Sequence, residues 1–422
     1  MQVNRRSILD GSFLMMNILF FCSFNGIITM LFGVGQFVSP LILVICLLII
    51  FIEGISLRSL AFWLVFVFFL QYLSYYAIGV SSRMFWSIEI NYEFSWRKVA
   101  NNFLSSLIVL LAYQQYFYRR LFLDGALKRV LILLFIPMVA SMAILLLQPL
   151  FGLHSFRDVT RSNERGLGVF SNPNTAATLA NIGLVFAIDL FFRLKKKWWL
   201  FLPILIMAVV ACILPLSRTG FVGLAAVIVL GVLYFLLRPR VFGSFRPIQS
   251  LVFIVVPAVA IVYVSTNYNR ILNEELSYYQ RSRIQSLEKV ILRGELNTET
   301  TSERTDLWEY AAAVIPKRII SGYGIGYFDD IPGWIGVHNT FLVTIGNSGF
   351  LPFSLMLIVI VSVPLIGARK KRTGFLIIGL SAVTVINFMT SHNGYSDKVL
   401  NIMYILPVLF AAYDRPVLKS EQ

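Results

Sequence analysis

Apolar segments of about 20 residues recur along the chain between Gly11 and Tyr413, and short polar or charged stretches separate them. A transmembrane α-helix needs roughly 20 mostly apolar residues to cross the hydrocarbon core of a bilayer. The pattern therefore predicts about twelve transmembrane helices, which begin near residues 11, 38, 57, 99, 129, 172, 198, 219, 249, 341, 374 and 399. The predicted fold class is all-α, a polytopic membrane helical bundle.

The composition also indicates a membrane protein. Of the 422 residues, 58% are hydrophobic and only 14% are charged, and the mean hydropathy is +0.77. A soluble domain of ordinary composition cannot bury so many apolar side chains, so lipid must be part of the solvent. Cys22, Cys46 and Cys212 fall inside apolar segments, where a thiol behaves as a small hydrophobic group. No disulfide or metal framework is predicted.

The positions of the basic residues predict the orientation, because short cytoplasmic loops carry an excess of Lys and Arg. Twelve spans place one set of basic residues on the same side as the termini: Arg5, Arg6, Arg58, Arg119, Arg120, Lys128, Arg129, Arg193, Lys195, Lys196, Lys197, Arg238, Arg240, Arg246, Arg369, Lys370, Lys371, Arg372, Arg415 and Lys419. That side is predicted to be cytoplasmic, and the functional site is predicted on the opposite, outer side. The net charge of +15 mostly reflects this distribution of basic residues between the two sides of the membrane. No nucleic-acid partner is predicted, because the basic loops are too short to form a recognition domain.

One connection is much longer than the others and divides the chain into three parts. Residues 1–265 hold the first nine predicted helices, residues 266–340 form a large loop on the outer side, and residues 341–422 hold the last three helices. Long loops in compact proteins are usually functional. The loop is therefore the first place to look for chemistry.

The long loop has the sequence pattern of a packed lid. Residues 273–296 read as an amphipathic helix, and Thr300 with Glu303 forms a capping box that opens a second helix, which ends at Pro316. The sequence Ser321-Gly-Tyr-Gly-Ile-Gly follows, a glycine-rich turn that lets the backbone approach a neighbour or a ligand closely. Its GxGxG spacing, without a preceding strand, argues against a dinucleotide site.

Three residues at the predicted outer ends of helices are candidates for chemistry. His338 precedes the apolar run from Phe341, so it is predicted at the outer mouth of the tenth helix, with Asn339 beside it. Arg218 lies between the seventh and eighth helices. Arg304 lies in the first turn of the second loop helix, where a cation is unfavourable unless an anion binds. Simpler roles stay open for all three: the histidine can anchor the chain at the membrane interface, and each arginine can reach lipid headgroups or form a surface ion pair.

The remaining candidates are polar residues near these three. Asn172 and Asn174 flank a proline and order the start of the sixth helix, and Ser217 precedes an arginine. Arginines at a membrane mouth suit a pyrophosphate headgroup, because a guanidinium group binds phosphate oxygens in bidentate fashion. Neither a metal nor a cofactor is predicted, since no aspartate pair flanks a histidine at ligand spacing; Asp329 and Asp330 are a weak exception.

Five short motifs occur in one order along the chain: Asn172-Pro173-Asn174, Ser217-Arg218-Thr219-Gly220, Arg304 to Trp308, Gly322-x-Gly324-x-Gly326 and His338-Asn339. Together they resemble the O-antigen ligase and polymerase superfamily of membrane glycosyltransferases, and the chain is most like a ligase. The resemblance runs from about residue 165 to the end. It implies a GT-C-like helical bundle in a bacterial inner membrane, with a large helical periplasmic loop and the active site on the periplasmic side.

The resemblance also implies the substrates and the roles of single residues. Members take a glycan from undecaprenyl pyrophosphate without a metal, and they are expected to invert the anomeric carbon. Ligases pass the glycan to the lipid A-core oligosaccharide. By resemblance, Arg218 and Arg304 hold the pyrophosphate, and His338 orients or deprotonates the acceptor hydroxyl. Further expected substrate contacts are Arg293, Asn172, Asn174, Ser217, Asn339 and Tyr323.

Two alternative functions stay open. One is a polymerase, which passes the glycan from the same donor to another lipid-linked repeat unit, and the other is a transporter of lipid-linked oligosaccharide. The size of the chain, its single large loop and the lack of an extra domain favour the ligase. Membrane lipids are expected partners in all three cases, and the sequence does not predict the sugar, the acceptor hydroxyl or the oligomeric state.

Overall fold

The computed structural model describes residues 5–22, 38–86, 95–150, 172–193, 198–237, 304–329, 336–391 and 397–414, together with 170, 255, 281, 285, 394 and 395. Within these ranges the chain forms helices and turns, with no strand. The α-helices are α1 (Arg5–Phe21), α2 (Val38–Glu53), α3 (Leu57–Leu60), α4 (Trp63–Trp86), α5 (Trp96–Phe117), α6 (Leu127–Leu150), α7 (Pro173–Arg193), α8 (Leu202–Ile213), α9 (Arg218–Leu237), α10 (Arg304–Val314), α11 (Thr340–Ser348), α12 (Phe350–Arg369), α13 (Gly374–Thr390) and α14 (Lys398–Tyr413). A π-helical turn, Tyr118–Leu123, extends α5, and short 3-10 turns precede α8 (Trp198–Phe201) and follow α10 (Ile315–Arg318).

The described helices confirm a helical, multi-pass membrane protein. By length and composition, five of them can cross a membrane: α4, α6, α7, α9 and α12. Four more, α2, α8, α13 and α14, are apolar but shorter. These nine helices overlap spans predicted from the sequence, whereas the span predicted near residue 249 lies almost entirely outside the described residues.

Two predicted spans differ from the structure, the third in where it begins and the tenth in its continuity. The third was expected from about residue 57, but α3 ends at Leu60 and the long helix α4 starts at Trp63. The tenth was expected from about residue 341, and α11 begins there, at Thr340. However, α11 ends at Ser348, Gly349 breaks the helix with a φ of 78°, and the long apolar helix α12 follows. A left-handed glycine cannot continue an α-helix, so an apolar run that reads as one span becomes two helices.

The described residues fall into two compact units. One lies within residues 1–20, 37–134 and 301–422, and the other lies within residues 21–36 and 135–300. In the first unit, α12 packs on α4 and α13, α14 packs on α5 and α13, and α2 packs on α5. In the second unit, α7 packs against both α8 and α9.

The short helix α11 lies inside the first unit, in contact with α4, α12 and α13. Six of its nine residues are buried, among them Thr340, Thr344, Asn347 and Ser348. Their polar groups are hydrogen-bonded: Thr344 Oγ1 donates to the carbonyl of Thr340 at 2.6 Å, and Ser348 Oγ donates to the carbonyl of Tyr75 at 2.7 Å. Buried polar groups need such partners, so α11 is fixed by specific bonds as well as by apolar packing.

A network of ion pairs also lies within the first unit. Arg120, with only 4% of its side chain exposed, donates from Nε and Nη2 to the two carboxylate oxygens of Asp10 at 2.9 and 2.6 Å. Arg129 pairs with Asp10 at 2.5 Å, and Arg119 pairs with Glu53 at 3.5 Å. These three arginines were predicted to share one side of the membrane, and the structure gives each of them a carboxylate partner.

Candidate functional site

The glycine-rich turn after α10 packs directly on the main chain of α11. The N–H of Tyr323 donates to the carbonyl of Gly346 at 2.7 Å, and the N–H of Gly324 donates to the carbonyl of Asn347 at 2.9 Å. Gly322 and Gly324 have φ values of 71° and 97°, in the left-handed region that favours glycine. The predicted close approach of backbone to a neighbour is confirmed, and the neighbour is the protein's own helix.

The same turn is also bound to α4. Ser82 Oγ donates to the carbonyl of Ser321 at 2.6 Å, and the N–H of Ile325 donates to the carbonyl of Gly79 at 3.0 Å. Arg83 Nη1 donates to the carbonyl of Ile325 at 2.7 Å. The turn is therefore fixed between α4 and α11 from both sides.

Asn347, which is fully buried, joins three segments through its side-chain amide. Its Nδ2 donates to the Tyr75 hydroxyl at 3.2 Å and to Asp329 Oδ2 at 2.8 Å, and its Oδ1 accepts from the N–H of Phe328 at 3.1 Å. An amide with both ends engaged in a buried site fixes the orientation of each partner. Sequence reasoning missed Asn347, because an asparagine inside an apolar run carries no motif.

Tyr323 belongs to a small apolar core rather than to an open surface. The core packs α10 against the turn and α11, and its buried members are Leu307, Ala311, Ile315, Tyr323, Phe328, Val337 and Val343. The Tyr323 hydroxyl donates to the carbonyl of Val314 at 3.0 Å, and Arg318 lies over its ring at 4.9 Å. The substrate-binding role of Tyr323 stays a prediction, and the contacts that the structure gives it are packing contacts.

Tyr327 stacks on Tyr323, with 4.6 Å between the ring centroids, and shares a hydrogen bond of 3.0 Å with the hydroxyl of Tyr310. Burial raises the pKa of Tyr327 above its usual range, and the bond to Tyr310 raises it further. Both effects disfavour the phenolate.

His338 lies next to Asn339, the cap of α11, and has a strained conformation. Its φ is 46°, one of two positive values among the described non-glycine residues, and the residue is partly exposed. Asn339 caps α11, and its Oδ1 accepts from the N–H groups of Phe341 at 3.0 Å and Leu342 at 3.2 Å. A non-glycine residue persists in this conformation only where its surroundings enforce it, and such positions are often functional.

In the second unit, the two motifs at the starts of α7 and α9 are in contact. Ser217 Oγ donates to Asn174 Oδ1 at 2.5 Å, and Asn172 Oδ1 accepts from the N–H of Asn174 at 2.8 Å. The predicted ordering of the helix start by the two asparagines is thus confirmed. Arg218 is the first residue of α9 and is partly exposed, and Leu216, two residues before it, has a φ of 47°.

The contact between α7 and α9 continues one turn further in. Asn181 Nδ2 donates to the carbonyl of Gly220 at 3.2 Å, and a Cβ at Gly220 would lie 2.8 Å from that of Ala177. Glycine is therefore required at position 220 by close packing of the two helices. Asn181 is a second polar residue that sequence reasoning missed, because it lies within an apolar helix.

Several predicted features fall outside the described residues. These are Arg293, most of the amphipathic helix over 273–296 and the capping box of Thr300 and Glu303. Arg304 is described only as the first residue of α10. The predicted second loop helix is confirmed as α10, but the α-helix ends at Val314 and a 3-10 turn carries the chain through Pro316 to Arg318.

Alanine at Gly322 is expected to destabilise the protein far more than alanine at Gly54. Both glycines have a φ of 71°, so the backbone strain, about 1–2 kcal/mol, is matched. A Cβ at Gly322 would lie 2.5 Å from the carbonyl carbon of Asn347, whereas nothing lies within 4 Å at Gly54. The main chain of Asn347 cannot move away as a flexible side chain could. Gly322→Ala should therefore lower the free energy of unfolding by about 1–3 kcal/mol more than Gly54→Ala does. The measurement is the thermal unfolding midpoint of both variants in the same detergent. Equal shifts of the midpoint would contradict the close contact between Gly322 and the main chain of Asn347.

The fold and these motifs define a multi-pass helical membrane protein with two sets of polar residues. One set surrounds α11 in the first unit, and the other lies at the starts of α7 and α9 in the second unit. Residues 203–357 match the family model described as O-Antigen ligase. This match confirms the resemblance to the O-antigen ligase and polymerase superfamily, whose members act in surface polysaccharide biosynthesis. The matched segment contains Arg218, Arg304 and His338. A search of curated proteins finds no match.

Proposed function

We propose that the protein is an O-antigen ligase, which transfers a glycan from undecaprenyl pyrophosphate to the lipid A-core oligosaccharide. The observation that carries this proposal is the family match over residues 203–357, the segment that holds the three candidate catalytic residues. The runner-up is a polymerase with the same donor, because the family model supports either activity. The proposed location is the bacterial inner membrane, with both termini cytoplasmic and the chemistry at the periplasmic face.

The proposed reaction is a displacement at the anomeric carbon of the donor sugar. The acceptor hydroxyl oxygen forms a bond to that carbon, the bond from the carbon to the pyrophosphate oxygen breaks, and the configuration inverts. His338 accepts the hydroxyl proton, or it orients the hydroxyl and the proton passes to the departing pyrophosphate, which carries away the bonding electrons. Arg218 and Arg304 stabilise the charge that develops on the pyrophosphate, as fixed cations do at oxyanions.

The positions of two of these residues support their proposed roles. Arg218 is the first residue of α9, where the helix N-terminus adds a positive potential to that of its guanidinium. His338 is a partly exposed residue beside the capped start of α11, as contact with a substrate requires. The proposed reaction uses no metal.

The purified protein is expected to transfer glycan from the undecaprenyl-pyrophosphate donor to the lipid A-core, and a gel resolves the products. The same transfer is expected in the presence of a chelator. Lengthening of glycan on the carrier would show a polymerase instead. Vesicles that translocate the donor while the purified protein forms no product would show a transporter. Activity that a chelator abolishes and a divalent cation restores would contradict the metal-free mechanism.

A further inference from the structure

The residue before His338 is held at both of its main-chain hydrogen-bonding groups. The N–H of Val337 donates to the carbonyl of Phe328 at 3.2 Å, and the carbonyl of Val337 accepts from Trp308 Nε1 at 3.0 Å. The Val337 side chain is fully buried in the core that joins α10 to α11. These contacts fix the main chain of Val337, immediately before His338.

The residue after His338 is also fixed, because Asn339 caps α11 through two hydrogen bonds. Between these two anchors, His338 adopts a φ of 46°, a conformation that costs a non-glycine residue about 1–3 kcal/mol. Without restraints, the main chain at His338 would change to a more favourable φ. The hydrogen bonds of Val337 and Asn339 prevent this change and so fix the direction in which the imidazole projects from the main chain.

We propose that Trp308 is a positioning residue for His338. Its indole N–H is the side-chain donor that secures Val337, and it lies on α10, one helical turn after Arg304. Through this bond, α10 holds the main chain from which the imidazole projects. The inference rests on the proposed function, in which His338 faces the acceptor hydroxyl.

Loss of the indole N–H should affect turnover more than binding or folding. A catalytic group that shifts by about 1 Å can lose on the order of 100-fold in rate, because a general base needs a short, aligned contact with its proton. Trp308→Phe keeps an aromatic ring and removes the donor. Replacement of Trp308 by 3-benzothienylalanine is more exact, because it exchanges only the indole N–H for sulfur.

The experiment measures kcat and KM for transfer by the full-length protein in detergent, together with the thermal midpoint. Both replacements are expected to lower kcat about 10- to 100-fold, with KM for donor and acceptor within about twofold of wild type. The matched control is Trp63→Phe, since Trp63 is half-exposed and the described part of the chain gives its indole no hydrogen bond. That variant should keep the wild-type kcat.

A double-mutant cycle separates positioning from a purely structural effect. If Trp308 acts through His338, then Trp308→Phe should cause no further loss of rate in a His338→Asn background. A kcat within about twofold of wild type, or a loss that only follows the amount of folded protein, would overturn the inference. Wild type without transfer activity would instead overturn the proposed function, so the two failures are distinguishable.

Discussion

His338→Asn should abolish most of the transfer activity while the protein folds normally. Asparagine tolerates a positive φ better than other non-glycine residues, so it can occupy the backbone position of His338, whose φ is 46°. It cannot accept a proton at neutral pH. A general base contributes about 10²- to 10⁴-fold to a rate, and a loss of that size is expected in kcat. The measurement is transfer from undecaprenyl-pyrophosphate glycan to lipid A-core, at matched amounts of folded protein.

His338→Gly provides the complementary control, because glycine adopts this φ freely and leaves space where the imidazole was. Added imidazole is expected to restore part of the activity of His338→Gly and none of that of His338→Asn, in which the amide fills the space. His338→Ala combines both effects and is less informative. Transfer by His338→Asn within about threefold of wild type would remove His338 as the base.

Arg120→Ala is expected to cost about 3 kcal/mol of stability. The substitution removes two hydrogen bonds from the buried carboxylate of Asp10. Removal of one partner from a buried ion pair typically costs about 3–5 kcal/mol. The lower value is expected, because Arg129 still pairs with Asp10 at 2.5 Å. Unfolding in mixed detergent micelles measures the change.

The neighbouring Arg119 gives a matched control. Its side chain is 38% exposed, and it pairs with Glu53 at 3.5 Å and with Asp124 at 4.0 Å. Exposed pairs contribute about 0–1 kcal/mol, so Arg119→Ala should have a small effect. The double variant Asp10→Asn with Arg120→Met should recover part of the loss, because it removes both charges together. Equal losses of stability in Arg119→Ala and Arg120→Ala would contradict the buried ion pair between Arg120 and Asp10.

The hydrophobic pattern predicted most of the helices, but it failed at the break between α11 and α12. Apolar residues lie on both sides of Gly349, so hydropathy reads them as one span. The break depends on the tertiary structure, because Gly349 has a φ of 78° and a Cβ there would lie 2.0 Å from the main-chain carbonyl oxygen of Ile320. A pattern within one segment cannot report such a contact from another segment.

The candidate site was predicted in part. Asn172, Asn174 and Ser217 were identified from their motifs, and the structure joins them by hydrogen bonds. Asn347 and Tyr75 were missed, although they help to hold the glycine-rich turn and the segment after it, because neither lies in a recognisable pattern. The roles of the two arginines and of the histidine remain proposals that the transfer assays test.

The sequence by itself determined the membrane class, the helical fold and the places where polar motifs interrupt the apolar runs. These properties depend on hydropathy over about 20 neighbouring residues, which is local information. The tertiary structure alone decided which polar residues meet. Arg119 and Arg120 are adjacent and chemically identical, yet only Arg120 is buried against Asp10, and Trp308 meets Val337 across 29 residues of chain. Such pairs depend on how distant helices pack, and no local pattern encodes them.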